Sequence, residues 1–339
     1  MNKPPSGNEV KIVYAEGTFW KFWRSGFALA MVAVLSSVAI AQTRYRIRDL
    51  DTDQRHFLYT SVDFPNAIRT RAWGINRRGT IVGDYRDTSN VSHGFLLSRE
   101  GYVTVDVPGA LIGQPGSLPT SLRAINPSGD IVGFYIAPPG SSADCTVAGS
   151  PPCLKGFLLH RGIFSTVLFP GHAGSIPQRI TPNGEIYGCY HDADLMGSMF
   201  GFALTAAGFS GIDVPASMHT GATPDGSTIV GLYTDMTTMP PLTHGYVLQN
   251  GTFQSFDVLN SKFTQAWDVN PAHSIVGDFT DAVGMFHGFL KTAEGYTSID
   301  FPAAVASHAQ GINPRGAIVG MYTDTNNMTH GFLGVPVDE

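Results

Sequence analysis

Six times along the 339-residue chain the same short run of residues returns. Its first copy reads Gly74-Ile75-Asn76-Arg77-Arg78-Gly79-Thr80-Ile81-Val82-Gly83-Asp84-Tyr85, and related runs centre on Ile125, Ile180, Ala222, Val269 and Ile312. The glycine of the Ile-Val-Gly step falls at 83, 133, 188, 231, 277 and 320, giving spacings of 50, 55, 43, 46 and 43 residues. A unit of this size cannot bury its own apolar faces and must stack on its neighbours. The length alone allows two average domains, but six continuous repeats argue for one closed domain.

Each unit reads as four short strands. In the first copy these are residues 70–76, 80–87, 93–97 and 102–108. The first turn is Asn76-Arg77-Arg78-Gly79, written Asn126-Pro127-Ser128-Gly129 and Asn313-Pro314-Arg315-Gly316 elsewhere. Asn bonds its own backbone two residues on, Pro pre-sets φ and Gly suits the fourth position. The fifth copy departs from this with His273 in the glycine place. The second strand is β-branched and aromatic but keeps its glycine in all six copies, which calls for a bulge or a close backbone approach. Pro65, Pro108, Pro170, Pro215 and Pro302 recur after the fourth strand, where a residue without an N–H ends a sheet edge. Four antiparallel strands per unit, six times, predict an all-β, six-bladed β-propeller over residues 56–339.

The ends of the array support a ring. The last copy stops after its third strand at His330-Gly331-Phe332-Leu333, while residues 56–65 form a spare fourth strand. In that strand Ser61-Val62-Asp63-Phe64-Pro65 matches Ser298-Ile299-Asp300-Phe301-Pro302. Pairing it beside Phe332 completes blade six and leaves no open edge. A linear solenoid would need capping repeats, and the chain shows none.

Residues 1–41 read as an export signal: Lys21 and Arg24, an almost uncharged apolar run over residues 26–41, then Ala39-Ile40-Ala41 before Gln42. The alternative is an uncleaved anchor, but the run is short of the roughly 20 residues that span a bilayer. Residues 42–55 form a lead segment. The expected address is secreted or periplasmic in a bacterium, with no membrane span after cleavage. Without residues 1–41 the chain holds 17 basic and 25 acidic groups, a net charge of −8 against −6 for the whole. Such a surface repels phosphate backbones, so nucleic acid is not an expected partner.

Cys145 and Cys153 bracket an insertion rich in Ser, Gly and Pro and, in an exported chain, are expected to form a local disulfide. Cys189 occupies a strand position filled elsewhere by Asp84, Phe134, Leu232, Asp278 and Met321, and reads as a buried inert thiol. No Cys/His spacing resembles a zinc site, and neither a metal nor another cofactor is expected.

Three sets of residues stand out as candidates for chemistry. Asp87 precedes His93 by six residues, as Asp281 precedes His287 and Asp324 precedes His330; Asp235 and His244 are nine apart. Asp–His pairs serve metal binding and acid–base catalysis. Four equivalent pairs on four repeats cannot all be one active site, so the structural reading is favoured: each pair pins the connection between strands two and three. Hydroxyl residues begin every first strand (Thr70, Thr120, Ser175, Ser217, Thr264, Ser307), and none lies in a G-x-S-x-G elbow. They are expected to share one structural hydrogen bond. Three residues further on the type stops repeating: Trp73, Arg123, Gln178, Thr220, Trp267 and Gln310. With the first strand innermost, Trp73, Arg123, Gln178, Trp267 and Gln310 would approach the central channel or its mouth and grip a ligand by stacking and hydrogen bonds. The alternative is that the tryptophans are core between blades. The long connections, residues 109–118, 136–154 and 235–243, fall on the face opposite the Asn-x-x-Gly turns, where binding is expected.

The pattern Gly-Ile-Asn-x-x-Gly-x-Ile-Val-Gly followed by His-Gly-Phe-Leu resembles the HAF family of probable extracellular bacterial repeat proteins, over about residues 56–333. The family's His-Ala-Phe is here His-Gly-Phe at 93, 287 and 330 and His-Gly-Tyr at 244. The resemblance implies an exported bacterial protein and brings no catalytic residues with it. Three readings of function remain. The first is a binding or interaction module for a glycan or protein, without catalysis. The second is a glycan-cleaving hydrolase or lyase using non-repeated acids such as Asp144, Asp194 and Asp268. The third is a purely structural envelope protein.

Overall fold

The computed structural model describes residues 45–46, 57–111, 120–138, 153–172, 174–191, 199–211 and 217–337. It is all β. Six antiparallel four-stranded sheets follow one another in chain order, each with the first strand of its repeat at one edge and the fourth at the other. The innermost strands are Arg69–Ile75, Thr120–Ile125, Gly174–Ile180, Ser217–Ala222, Thr264–Val269 and Ala306–Ile312, in blades one to six. In blade one the sheet continues outward through Ile81–Arg86, Ser92–Ser98 and Gly101–Val105. Pro108 lies beyond the last of these, as expected of a residue that cannot donate to a ladder.

The ring closes between the two ends of the chain. Phe57–Val62 pairs antiparallel with Thr329–Pro336, Ser61 opposite Phe332, and becomes the outermost strand of blade six. A short segment, Tyr45–Arg46, adds a parallel fifth strand to the outer edge of blade four, beside Phe256 and Asp257. The disulfide expected between Cys145 and Cys153 lies outside the described residues, as do most of the long connection after blade one and most of the insertion in blade two. Among the described residues no helix is long and apolar enough to cross a membrane.

The core is a set of layers between adjacent sheets. One such layer joins Val62 and Val319 of blade six to Ala72, Ile81 and Phe95 of blade one; another joins Val230 and Phe256 of blade four to Ala266, Val276's neighbour Ile275 and Phe289 of blade five. The aromatic residue of the His-Gly-Phe step is buried in every blade that carries it: Phe95, Tyr246, Phe289 and Phe332 are at most 1% exposed. Its ring explains much of the repeated glycine. A Cβ on Gly83, Gly231, Gly277 or Gly320 would meet the ring of Phe95, Tyr246, Phe289 or Phe332 at 2.5–2.7 Å, and a main-chain oxygen of the first strand at 1.9–2.1 Å.

Two repeated devices tie blade to blade. The six hydroxyls accept a backbone N–H from the preceding blade or its exit: Phe64 to Thr70, Val107 to Thr120, Phe169 to Ser175, Gly201 to Ser217, Val258 to Thr264 and Phe301 to Ser307, at 2.8–3.3 Å. Each hydroxyl residue is at most 1% exposed, so each bond satisfies a donor and an acceptor that water cannot reach. Three of the Phe residues that precede the recurring prolines stack flat on the second-strand Tyr of the next blade: Phe64 on Tyr85, Phe169 on Tyr190 and Phe301 on Tyr322, with centroids 3.6–4.0 Å apart.

Candidate functional site

Every innermost strand carries a one-residue register slip opposite the repeated glycine. It falls between Ala72 and Gly74, Leu122 and Ala124, Pro177 and Arg179, His219 and Gly221, Ala266 and Asp268, and Ala309 and Gly311. The residue left over in each slip is Trp73, Arg123, Gln178, Thr220, Trp267 or Gln310. The six positions where the repeat stops repeating are therefore six β-bulges, and a bulge re-aims the side chain it carries.

Three of these side chains meet around the axis. Trp73 and Trp267 meet edge to face with centroids 6.2 Å apart. They belong to blades one and five, which are not neighbours, so they meet across the channel rather than within a layer between adjacent sheets. The guanidinium of Arg123 from blade two lies 3.7 Å above the Trp73 ring. Gln310 of blade six, between the two tryptophan blades, is 3% exposed and its Oε1 has no hydrogen-bond partner. Gln178 turns aside and donates to Met218 Sδ at 3.2 Å. Thr220 closes into the wall, donating to Ala266 O at 2.8 Å.

Each indole is held from behind by a buried carboxylate eleven residues on. Trp73 Nε1 donates to Asp84 Oδ2 at 2.6 Å, and Trp267 Nε1 donates to Asp278 Oδ1. Asp84 also accepts from Arg71 Nε at 2.9 Å and Ser121 Oγ at 3.0 Å, and Asp278 pairs with His308 Nδ1 at 2.8 Å. Burial opposes the charge on Asp84, but Arg71, Arg69 and Arg123 with the indole N–H outweigh it and hold the carboxyl below its usual range. Burial, with Arg71 next, pulls Arg123 down to about 9, so it stays cationic at neutral pH. Among the described residues Arg123 makes no hydrogen bond, and its Nε is buried without an acceptor.

One level along the channel sits a polar hub. Arg179 donates from Nε to Thr220 O and from Nη2 to Trp267 O and Gln310 O, all at 3.3 Å, and so ties blade three to blades four, five and six. Its charge is met by Asp268, 3.1 Å away, which also accepts from Val269 N and Ile312 N at 2.8 and 2.9 Å. Burial pushes Asp268 up to about 6 against these three opposing partners. Arg179 spans the axis one residue beyond the bulge position, and the tryptophan–arginine layer lies on the side of it where the innermost strands begin. Arg71, Gln265 and His308 stand above it, partly exposed.

The repeated histidines have a partner that spacing did not indicate. His93, His244 and His287 pair through Nδ1 with the acid thirteen residues on, Asp106, Asp257 and Asp300, at 2.7–3.0 Å. His330 does so with Asp63, at 2.9 Å across the ring closure. The acids six residues ahead, Asp87, Asp281 and Asp324, lie 3.6–3.7 Å from Nε2 and bind the turn itself: each accepts two backbone N–H groups at 2.8–2.9 Å. Those amides hold Asp281 and Asp324 below the usual carboxylate range. Asp235 accepts from Thr237, and His244 Nε2 is buried without a partner. Each of these histidines also lies 5.0–5.4 Å from a second-strand ring, Tyr85, Tyr233, Phe279 or Tyr322. Cys189 is fully buried, and burial pushes its thiol up to about 12. Asp144 and Asp194 lie outside the described residues. Among the described residues no group of three or more His, Cys, Asp or Glu is placed to hold a metal ion.

Sequence reasoning missed Arg71, Asp84, Asp278, Arg179, Asp268 and His308 as parts of this layer. Two signals for them were present. The position after the variable residue is Gly74, Ala124, Gly221 or Gly311 in four blades but Arg179 and Asp268 in the other two. The two tryptophans alone are followed at eleven residues by an aspartate.

No family model matches the chain, and no curated protein matches it either. Among solved structures, a protein of unknown function from Dyadobacter fermentans is similar, with a TM-score of 0.50 at 11% identity, over 82% of this chain and 98% of that one. The six-bladed fucose-recognising lectin of Aleuria aurantia aligns at 12% identity and a TM-score of 0.37, over 68% of this chain and 77% of the lectin. AofleA from Arthrobotrys oligospora aligns at 13% identity and a TM-score of 0.40, over 83% of each chain. Likeness at these identities bears on the fold alone. The chain folds as a six-bladed β-propeller.

Proposed function

We propose that this propeller is an exported binding module that takes a saccharide into the channel mouth and performs no chemistry on it. The observation that carries the reading is the unsatisfied polar groups around the tryptophan–arginine layer. Buried polar groups are ordinarily paired, yet Arg123 Nε lacks an acceptor beside the Trp73 ring, Gln310 Oε1 lacks a donor on the blade between the two tryptophan blades, and Trp267 is partly exposed. A sugar hydroxyl both donates and accepts, so one class of ligand satisfies both groups, while the apolar face of a pyranose suits the indole. A peptide would match the hydrogen bonds but not require a stacking pair. The glycan-cleaving alternative needs carboxyl groups free to act on the substrate. Asp84, Asp278 and Asp268 are each committed to neighbouring donors. Export through residues 1–41, the HAF-type resemblance and the absence of a nucleic-acid partner belong to the same reading.

The test is retention of residues 42–339 on a panel of immobilised glycans, with the eluates assayed for cleavage products. Retention without product is expected, and Trp267→Ala or Arg123→Ala should weaken it about tenfold or more, the scale of one stacking or cation–π contact together with its hydrogen bonds. Retention unaffected by both substitutions, or on no glycan, would remove the mouth from consideration. Product formation would move the protein to the hydrolase or lyase class.

A further inference from the structure

A second site lies on the opposite face, among the turns rather than the channel, and it is independent of the mouth. Four arginines, Arg77, Arg78, Arg99 and Arg315, line one groove of about 450 Å³ together with Glu100. All four are exposed, and of the exposed cationic side chains among the described residues only Arg161 and Lys262 lie elsewhere. The whole chain carries a formal charge of −6, so this concentration runs against its composition.

The repeat makes the departure legible. A four-residue turn joins strands one and two in every blade, opening on Asn or Thr, and in blades two to five its middle residues are Pro127-Ser128, Pro182-Asn183, Pro224-Asp225 and Pro271-Ala272. Only blades one and six place arginine there, as Arg77-Arg78 and Pro314-Arg315, and those two blades are neighbours across the ring closure. The third turn of blade one, at Arg99, completes the wall. The backbone that carries these side chains is fixed. Asn76 Oδ1 accepts Arg78 N and Thr80 N at 2.9 and 3.0 Å, and Asn313 Oδ1 accepts Arg315 N and Ala317 N at 2.9 and 3.1 Å. Asn313 Nδ2 then donates to Asn76 O at 3.3 Å and locks one turn to the other. Among the described residues none of the four guanidinium groups has a hydrogen-bond acceptor or lies within ion-pair reach of a carboxylate. Four like charges facing one acid repel one another, and a multiply charged anion relieves that repulsion by accepting the fork-shaped donor pairs that guanidinium presents. The volume is that of a small-ligand site, enough for an oxyanion carrying a sugar-sized group.

We propose that this groove binds a phosphate- or sulfate-type oxyanion, free or as an ester on a sugar. Calorimetric titration of residues 42–339 at low ionic strength, with inorganic phosphate and separately with glucose 6-phosphate, tests it. Binding of at least one probe is expected, weakening as sodium chloride is added. The double variant Arg77→Ser/Arg315→Ser should bind at least tenfold more weakly, while Arg161→Ser, which removes an exposed arginine outside the groove, should bind as the unaltered protein does. Tighter binding of glucose 6-phosphate identifies an ester ligand, and equal or tighter binding of phosphate identifies the free ion; both support the site. No binding of either probe up to about 10 mM, or equal loss in the Arg161→Ser control, would overturn it.

Discussion

His219 shows how one side chain can set a property of the whole protein. It is 1% exposed, and its Nδ1 bonds the hydroxyl of Tyr246. The Tyr246 hydroxyl donates to Met218 O at 3.1 Å, so His219 must donate from Nδ1, and its Nε2 is left as a buried acceptor without a donor. Burial pulls the imidazole down to about 3. In the unfolded chain it takes up a proton near pH 6.5, and in the folded chain it does not. Its contribution to stability is therefore complete above pH 6.5 and is lost as the pH falls from 6.5 towards 3, at up to about 1.4 kcal/mol per pH unit. Urea denaturation between pH 7 and pH 4 should show this slope in the unaltered protein and a shallower one in His219→Gln. Equal slopes in the two proteins would show that other groups govern acid stability. At this scale the mouth was partly legible. Trp73, Arg123, Trp267 and Gln310 announce themselves by breaking a repeat, whereas Asp84 and Asp278 show only as aspartates eleven residues after a tryptophan, a spacing that does not say whether an acid in a β-strand faces solvent or an indole.

At the scale of the strand, the repeated glycine and the bulge are one device. A main-chain oxygen of the first strand approaches the glycine so closely that a Cβ on Gly277 would sit 1.9 Å from Gln265 O and 2.6 Å from the Phe289 ring. Backbone on one side and a buried ring on the other leave nothing free to move. Gly277→Ala is therefore expected to cost about 2–3 kcal/mol, in the range of overpacked cores. It should also loosen the bulge that aims Trp267, so near-ultraviolet circular dichroism from the indoles should change with it. A fully stable Gly277→Ala protein with an unaltered spectrum would break the link between glycine and bulge. That a glycine recurs in six strands was readable as a demand for close approach. The identity of what approaches was not, because it comes from a neighbouring strand whose register only the sheet defines.

At the scale of the molecule, the ring depends on the pairing of Phe57–Val62 with Thr329–Pro336. Without it the last blade presents an unpaired edge and the layer containing Val62, Ala72 and Phe95 opens to water. Removing residues 1–66 should abolish the single cooperative melting transition and produce aggregates on size-exclusion chromatography, the outcome for an exposed strand edge. A truncated chain that stays monomeric and melts at the original temperature would show that closure is not what holds the array together. Arg179 is the complementary feature on the axis: one guanidinium fastened to main-chain oxygens of three other blades.

The amino-acid sequence by itself determined the number of blades, the order of strands within each, the closing strand and the six positions at which the repeat varies. All of these follow from local periodicity and turn chemistry, which a repeat states six times over. Only the tertiary structure decided that His330 meets Asp63, that Trp73 faces Trp267, that Arg179 spans the axis and that Arg315 joins Arg77 and Arg99 in one groove. Those contacts join residues far apart in the chain, and their existence depends on the closed ring bringing non-adjacent repeats to a common axis or a common seam.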